Sequence, residues 1–275
     1  MFKQRFATAS VLALLFIVTL LFSSTATFVS AIMLVVLIAG WEWCDLSGIK
    51  SPVSKLLFLL GLLLSLLLVS DYVGIYNQFN QLISYQICFS AMILWAIIFL
   101  WLQGYPSSAI LWSSKPIMLL LGIFLLVVTW LALASIISLE NGRYLLLLAV
   151  SIIVLADVGG YIAGKLFGRH KLAPTISPGK TWEGLLGGMF LQLILVGVLL
   201  KMFPDLNVLD LCLLVFPVAI CSVIGDLFES MLKRHRGIKD SSNLLPGHGG
   251  FLDRLDGVMA ALPMFFVILS KANPF

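Results

Sequence analysis

The stretch from Ser230 to Asp256 concentrates groups that could bind a highly charged ligand. It reads SMLKRHRGIKDSSNLLPGHGGFLDRLD and holds five of the seventeen Lys and Arg residues and three of the thirteen acids of a 275-residue chain. Two interpretations are open. The stretch is either a solvated loop or a site where carboxylates hold a divalent metal ion while Lys and Arg neutralise phosphate groups. The second combination is what nucleotidyl or phosphoryl transfer requires.

The carboxylates in and beside this stretch have spacings that suit a shared site. Asp226, Ser230 and Lys233 fall at i, i+4 and i+7, so they lie on one face of a helix. Asp253 and Asp256 are one helical turn apart at the start of a further apolar run. Mg²⁺ typically binds one or two carboxylates together with water and phosphate oxygens. The pattern therefore predicts a divalent-metal site where two helix ends meet.

Basic residues and glycines between these carboxylates could complete such a site. Lys239 and Asp240 follow Gly237, and the PGHGG segment allows the backbone to approach a ligand closely. We interpret His248 as a ligand-binding residue rather than a general base, with a loop hydrogen bond as the alternative. The remaining candidate cations are Lys233, Arg234 and Arg254, for which ordinary anchoring at a cytoplasmic helix end is the alternative.

Two upstream segments carry further candidates. Asp157 lies inside the apolar run VLADVGGYIAGKLFGRHK, where an ionisable group costs at least a few kcal/mol unless it faces a polar cavity or a cation. The following segment, LAPTISPGKTWEG, contains Ser177 and Lys180 beside Gly179 and Thr181. A glycine followed by Lys and Thr could bind an anion, or Thr181 could simply cap the next helix. Both interpretations, an anion site and a helix cap, stay open.

The composition is that of an integral membrane protein. Hydrophobic residues make up 61% of the chain, charged residues only 11%, and the mean hydropathy is +1.09. Soluble domains carry about a quarter charged residues. The four cysteines are scattered without a metal-ligand or paired spacing, which indicates reduced apolar side chains. We expect membrane lipids as neighbours and no nucleic acid partner.

The predicted fold class is all-α, with about nine transmembrane helices. Each crossing of the bilayer needs about 20 apolar residues, or somewhat fewer where polar flanks extend to the interface. The candidate spans are 6 to 22, 26 to 43, 56 to 70, 86 to 102, 116 to 137, 144 to 164, 185 to 203, 208 to 225 and 257 to 271.

The distribution of positive charge predicts the orientation. With a cytoplasmic N-terminus, fourteen of the seventeen Lys and Arg residues fall on inside segments, and only Arg143, Lys201 and Lys271 fall outside. Cytoplasmic segments of membrane proteins carry this excess. The polar connections 165 to 184 and 226 to 256 are then both cytoplasmic, where nucleotides are available.

This orientation suggests two parts of the chain. Residues 1 to 140 would be transmembrane helices that act as scaffold and lipid anchor, because their few acids lie near predicted helix ends. Residues 141 to 275 would be a transmembrane catalytic domain whose active site lies at the cytoplasmic membrane face. The predicted location is the inner, cytoplasmic membrane, as a multi-pass protein.

The polar stretch resembles the signature of a known family. The pattern SxLKR, four residues, KD, and then PxHGGFxDRLD is similar to the signature of the phosphatidate cytidylyltransferases, or CDP-diacylglycerol synthases. The upstream segments SPGKTWEG and GYIAGKLFGRHKLAP resemble the same family. The close match covers residues 157 to 257, whereas the earlier spans match in number and character.

The resemblance implies an activity and a set of roles. The enzyme would be a helical membrane protein that joins CTP and phosphatidate to give CDP-diacylglycerol and pyrophosphate, using Mg²⁺. A second cation and a homodimer are compatible with the resemblance. Asp226 and Asp253 are implied as metal ligands. Asp157, Asp240 and Asp256 would shape the same acidic centre, and the implied phosphate contacts are Lys180, Lys233, Arg234, Lys239 and Arg254.

Two alternatives belong to other classes. A CTP-dependent lipid-alcohol kinase would share the metal and the basic residues, but it would transfer the γ-phosphoryl group. A secondary transporter would explain many spans and the intramembrane Asp157. Transporters usually show paired repeats and charged residues in several spans, whereas this chain gathers its acids towards one face of its last four spans.

Overall fold

The protein is a bundle of long helices with one small hairpin. The computed structural model describes residues 2–242, 244 and 249–272. Over these residues the elements are α1 (Phe2–Phe22), α2 (Thr25–Leu46), α3 (Pro52–Val73), α4 (Gln81–Gln103), α5 (Ala109–Trp112), α6 (Lys115–Ile137), α7 (Gly142–Phe167), β1 (Lys171–Ala173), β2 (Ser177–Thr181), α8 (Trp182–Met202), α9 (Val208–His235) and α10 (Leu252–Ala272).

Polar residues in the short connections define where the apolar helices begin. The side chains of Ser24, Ser51 and Asn80 each accept a hydrogen bond from the amide three residues later, at the starts of α2, α3 and α4. Such caps satisfy one of the unpaired amides of the first turn and contribute about 1 kcal/mol each. The helical prediction is confirmed, and each of the nine predicted spans coincides with one of the nine long helices found in the described residues.

The protein is a polytopic membrane protein. Seven helices in the described part of the chain are long and apolar enough to cross a bilayer: α2, α3, α4, α6, α7, α8 and α9. The described apolar part of α1 is the shorter segment Ser10–Phe22. Helix α10 carries four charged residues among its 21, three of them in its first two turns.

Helix α6 lies at the centre of the bundle. It packs against α2, α3, α4, α7 and α10, and nearly all its residues from Leu125 to Ile137 are buried. Two indole N–H groups tie α2 and α6 together. Trp43 donates to the Met118 carbonyl at 2.7 Å, and Trp130 donates to the Val29 carbonyl at 3.1 Å.

The division of the chain into residues 1 to 140 and 141 to 275 stays a prediction. Contacts cross this boundary, because α10 packs on α4 and α6 as well as on α9.

Glycines bring α7 and α8 into backbone contact. A Cβ atom on Gly159 would lie 2.6 Å from the Gly187 carbonyl oxygen, and one on Gly188 would lie 2.8 Å from the Ala156 carbonyl oxygen. Small residues allow this close approach between helices in a membrane. Gly160 and Gly164 belong to the same contact, because a Cβ atom on Gly184 would lie 2.8 Å from the Gly160 carbonyl oxygen and 3.4 Å from Gly164 Cα.

We expect Gly188→Ala to destabilise the protein by about 1–3 kcal/mol, because the added methyl group must displace the backbone of α7. Gly197→Ala on the same helix is the matched control, since nothing lies within 4 Å of a Cβ atom there. Thermal unfolding in detergent measures the effect. An unfolding temperature of Gly188→Ala equal to that of the control would contradict the close packing.

The two polar connections contain more regular structure than the sequence predicted. Residues 165 to 184 include an antiparallel hairpin in which Lys171 pairs with Thr181 and Ala173 pairs with Ser177. The connection 226 to 256 is largely helical, because α9 continues to His235 and α10 begins at Leu252. Helix α9 ends where Gly237 adopts a positive φ of 68°, a conformation that glycine tolerates and that commonly stops a helix.

Candidate active site

A cavity of about 610 Å³ lies between α7, α8, α9, α10 and the hairpin. Its inner wall is apolar and includes Ile153, Val223 and Val258. Its charged wall brings together residues from four separate elements that the sequence had singled out. These residues are Asp157 from α7, Lys180 from β2, Asp226 from α9, and Asp253, Arg254 and Asp256 from α10.

A close helix crossing explains how carboxylates from α9 and α10 come together. A Cβ atom on Gly225 would collide with the carbonyl oxygen of Asp256, and one on Gly257 would lie 3.3 Å from the Ser222 carbonyl oxygen. Glycine at both positions therefore lets the two backbones touch. This contact brings Asp226, the residue after Gly225, to the same wall as Asp256.

The Asp226 carboxylate forms an ion pair across the cavity. Lys180 Nζ lies 2.5 Å from Asp226 Oδ2, and the Ser230 hydroxyl donates to Oδ1 at 3.4 Å. Thr181 caps α8 by accepting from the Gly184 amide at 3.1 Å, which is the capping alternative that the sequence left open. Lys180 immediately precedes that cap, and the hairpin directs it towards α9.

The hairpin that carries Lys180 is attached at both ends. Glu183, in the first turn of α8, accepts from the Arg169 and His170 amides at 3.1 and 3.2 Å. At the turn, Arg234 Nε donates to the Ile176 carbonyl at 3.2 Å. Arg234, predicted as a phosphate contact, thus connects α9 to the hairpin turn.

The Asp253 carboxylate is the most highly connected acid of the site. Its Oδ2 accepts from the Gly250 amide at 2.8 Å and from the amide and hydroxyl of Ser241 at 3.0 and 2.9 Å. Its Oδ1 accepts from Lys233 Nζ at 2.6 Å. Lys233 also lies 3.4 Å from Glu229, whose side chain is completely buried. Lys233 therefore stabilises two carboxylates beside the cavity.

Several predicted residues lie away from the cavity wall. Ser177 is at the start of β2, where it pairs with Ala173, and Lys239 and Asp240 are exposed on the loop after α9. His248 lies outside the residues that the structure describes, as does Pro246.

Two residues that the sequence analysis did not single out belong to the surroundings of the site. Lys165 lines the cavity, with its Nζ 5.9 Å from the centre of the Tyr161 ring. Asp157, Tyr161 and Lys165 are spaced four residues apart, so they lie on one face of α7. This spacing was the signal in the sequence that could have identified Lys165. Glu42 in α2 contacts the segment that leads into α10. It is about 200 residues away in sequence, and no local pattern pointed to it.

The charges of the site are suited to a polyanionic ligand that arrives with a cation. Acids from three helices line one cavity, and such groups repel one another unless positive charge is close by. Lys180 and Lys233 supply that charge to Asp226 and Asp253 in the structure. Lys165 and Arg254 add further positive charge at the cavity wall.

Comparison with known proteins identifies the family of this chain. The sequence pattern of the "Cytidylyltransferase family" matches residues 3–271. The phosphatidate cytidylyltransferase of Haemophilus influenzae is 34% identical over 281 residues, which cover 96% of this chain and 97% of the relative. The enzyme of that name from Pseudomonas aeruginosa is 38% identical over 282 residues, which cover 99% of this chain and 98% of the relative. This chain therefore belongs to the cytidylyltransferase family.

Proposed function

We propose that the protein transfers the cytidylyl group of CTP to phosphatidate, giving CDP-diacylglycerol and pyrophosphate in phospholipid biosynthesis. The observation that carries this proposal is the convergence of Asp157, Lys180, Asp226 and Asp253 on one cavity in a chain similar over nearly its full length to phosphatidate cytidylyltransferases. The activity requires a place where two phosphorylated substrates meet, and this cavity combines a charged wall with an apolar one.

The reaction is an in-line attack by a phosphate oxygen of phosphatidate on the α-phosphorus of CTP. The bond between that phosphorus and the bridging oxygen of the β-phosphate breaks, and pyrophosphate leaves with the electron pair. A phosphate monoester has a second pKa of about 6, so the attacking group is mostly a dianion at neutral pH. No strong general base is needed. The barrier lies instead in bringing two anions together.

The basic residues of the cavity reduce that repulsion. Lys180 and Lys165 approach from the hairpin and from α7, and Arg254 approaches from α10. Their charges act in a cavity partly shielded from water, where electrostatic interactions are stronger than in bulk solvent. We infer that Lys180 and Arg254 contact substrate phosphates, as the family resemblance implies, and that Lys165 joins them.

The acids of the cavity suit Mg²⁺, whose preferred ligands are oxygens. Asp226 and Asp253 would hold the ion, and Asp157 and Asp256 would complete the acidic centre. Within the described residues, no group of three or more Asp, Glu, His or Cys side chains could hold a metal alone. An ion held by one or two of these carboxylates would take its remaining ligands from water and substrate phosphates. When bound, Mg²⁺ would supply positive charge to the phosphate oxygens.

The lysine partners of the acids support the same assignment. Lys180 lies 2.5 Å from Asp226, so positive charge already sits where an ion would bind. We infer that Lys180 moves from Asp226 to a substrate phosphate when CTP binds. Lys233 would stay beside Asp253, held between that acid and the buried Glu229. A second cation stays a prediction.

The apolar inner wall is suited to the lipid substrate. Leu185 and Met189 of α8 join Ile153, Val223 and Val258 below the charged wall. Phosphatidate could then place its headgroup among the lysines while its glycerol and first acyl carbons contact these side chains. Burial of such groups contributes about 0.8 kcal/mol per methylene.

The orientation is part of the proposal. The loops around the cavity connect α7 to α8 and α9 to α10, and these are the segments that the positive charge assigns to the cytoplasm. We propose nine membrane crossings, a cytoplasmic N-terminus and a site at the cytoplasmic face of the inner membrane. A homodimer also stays a prediction.

Labelled CTP distinguishes the proposed transfer from a kinase reaction. Purified protein incubated with phosphatidate and Mg²⁺ is expected to move label from the α-phosphate of CTP into the lipid, and to leave the γ-label in pyrophosphate. Label entering lipid from the γ-position alone would contradict the proposal. A parallel reaction without Mg²⁺ is expected to yield no lipid label.

A further inference from the structure

Glu42 is a fully buried acid in the N-terminal half of the chain that contacts the start of α10. Its Oε2 accepts from the Leu252 amide at 2.7 Å, and its Oε1 accepts from the Phe251 amide at 3.1 Å. The hydroxyls of Ser242 and Ser241 lie at 2.5 and 3.3 Å from the same carboxylate. Four donors from the segment around the site therefore converge on one side chain of α2.

This arrangement satisfies the groups that a helix start leaves unpaired. The first amides of a helix have no partner within the helix, and a negative charge near them is favourable. A buried carboxylate is costly unless it is hydrogen-bonded. The two requirements meet at the start of α10, where Glu42 binds amides that would otherwise be unpaired in a buried position.

Ser241 links Glu42 to the proposed metal ligand Asp253. Its hydroxyl lies 3.3 Å from Glu42 Oε2 and 2.9 Å from Asp253 Oδ2, and its amide donates to Asp253 at 3.0 Å. A serine hydroxyl has one proton, so it donates to one of the two acids at a time. The two carboxylates thus share a single donor.

Gly250 shows how little space this contact leaves. A Cβ atom at this position would collide with the Ser241 hydroxyl and would lie 2.5 Å from Glu42 Oε2. The Gly250 amide itself donates to Asp253 at 2.8 Å. The loop can therefore bind both acids only because it has no side chain at this point.

We propose that Glu42 is a positioning residue, which fixes the Asp253 carboxylate by holding Ser241 and the first turn of α10. Glu42 is not among the residues that line the cavity, so it acts through Asp253 and does not touch substrate. The inference rests on the proposed function, because it concerns the acid that would hold Mg²⁺. It makes α2 part of the catalytic unit rather than scaffold alone.

Glu42→Gln tests this role, because the amide keeps the size of the side chain and replaces one acceptor oxygen by a donor. We expect the Mg²⁺ concentration for half-maximal transfer to rise by about 10–100-fold, as for other residues that orient a metal ligand. Amide hydrogen exchange, which needs no turnover, is expected to accelerate in residues 249 to 256. Asp45→Asn is the control: it makes the same chemical change on α2, where Asp45 pairs with Lys55 at 2.5 Å.

A purely structural role gives a different result. In that case Glu42→Gln would lower the unfolding temperature, but the protein that remains folded would need the same Mg²⁺ concentration for half-maximal transfer as the wild type. This result would overturn the proposal. Unchanged exchange in residues 249 to 256 would also overturn it. Failure of the wild-type protein to transfer the α-label would instead refute the proposed function.

Ser241→Ala provides a second route if Glu42→Gln does not fold. It removes only the shared hydroxyl and retains the hydrogen bond that the backbone amide of residue 241 donates to Asp253. We expect the Mg²⁺ requirement to rise in the same direction, by a smaller factor. If both single variants fold, a double-mutant cycle is expected to show a combined effect smaller than the product of the single effects. Wild-type behaviour of Ser241→Ala, or full additivity, would overturn the proposal.

Discussion

Replacing Asp226 by Asn is expected to reduce cytidylyl transfer by about 10²–10³-fold, the range found when one group that stabilises transition-state charge is lost. Asp226 is the most suitable acid to change, because its side chain contacts Lys180 and Ser230 and takes no part in the hydrogen bonds at the start of α10 that involve Asp253. Asparagine keeps the shape and removes the negative charge, so a bound cation loses a ligand while the helix crossing at Gly225 is preserved. Turnover of α-labelled CTP over a range of Mg²⁺ concentrations measures the loss.

Asp205→Asn is the matched control for this substitution. Asp205 is an exposed acid in the turn between α8 and α9, at the opposite end of the bundle from the cavity. We expect it to retain wild-type turnover. If Asp226→Asn retained near-normal turnover at every Mg²⁺ concentration, the metal assignment would be wrong.

Asp253→Asn would lose activity for two reasons at once. It removes the same kind of charge, and it also weakens the contacts with Lys233, Ser241 and Gly250. Its effect on stability must therefore be measured beside its effect on turnover. A folded Asp253→Asn protein that worked normally over a range of Mg²⁺ concentrations would also contradict the assignment.

Replacing Lys180 by Met is expected to lower kcat/KM for CTP by about 100-fold or more, because a charge that neutralises phosphate is lost from the cavity. Methionine retains much of the length and apolar volume of the lysine stem. The substitution also leaves Asp226 without its ion-pair partner, which adds electrostatic repulsion against an incoming triphosphate. Steady-state kinetics with varied CTP at saturating phosphatidate measure the effect.

The division of the loss between kcat and KM tests the inferred movement of Lys180. If Lys180 leaves Asp226 to stabilise charge that develops during transfer, kcat falls together with kcat/KM. A change in KM alone would contradict that movement and would indicate equal binding of the ground and transition states. Lys201→Met is the control and is expected to behave like the wild type. Lys201 lies in the last turn of α8, the helix that follows β2.

The site also explains why an enzyme of this kind needs a polytopic fold. Three different helices and a hairpin contribute its charged groups, and each helix packs against others in the bundle. Rigid elements position such groups more accurately than loops do. Accurate positioning restricts the sequence of α7 and α8, because glycine is needed where the two backbones meet.

The sequence by itself determined the class of protein and most members of the charged centre. Nine apolar runs predicted nine helices because hydrocarbon requires every backbone group to be paired within its own segment. The spacing of Asp226 and Ser230 predicted one helix face, and the structure joins them by a hydrogen bond. The family resemblance followed from a long pattern of polar residues, which few unrelated chains could carry by chance.

Only the tertiary structure decided how these residues are paired and what holds them. Lys180 contacts Asp226 rather than another acid because the hairpin is held at both ends. Glu183 of α8 binds the amides that lead into the hairpin, and Arg234 of α9 binds the Ile176 carbonyl at its turn. Glu42 reaches the start of α10 across about 200 residues of sequence. The physical reason is that helix periodicity fixes which residues share a face of one helix, whereas contacts between helices depend on crossing points. Here those points are set by glycines such as Gly225 and by the buried surfaces of all the long helices together.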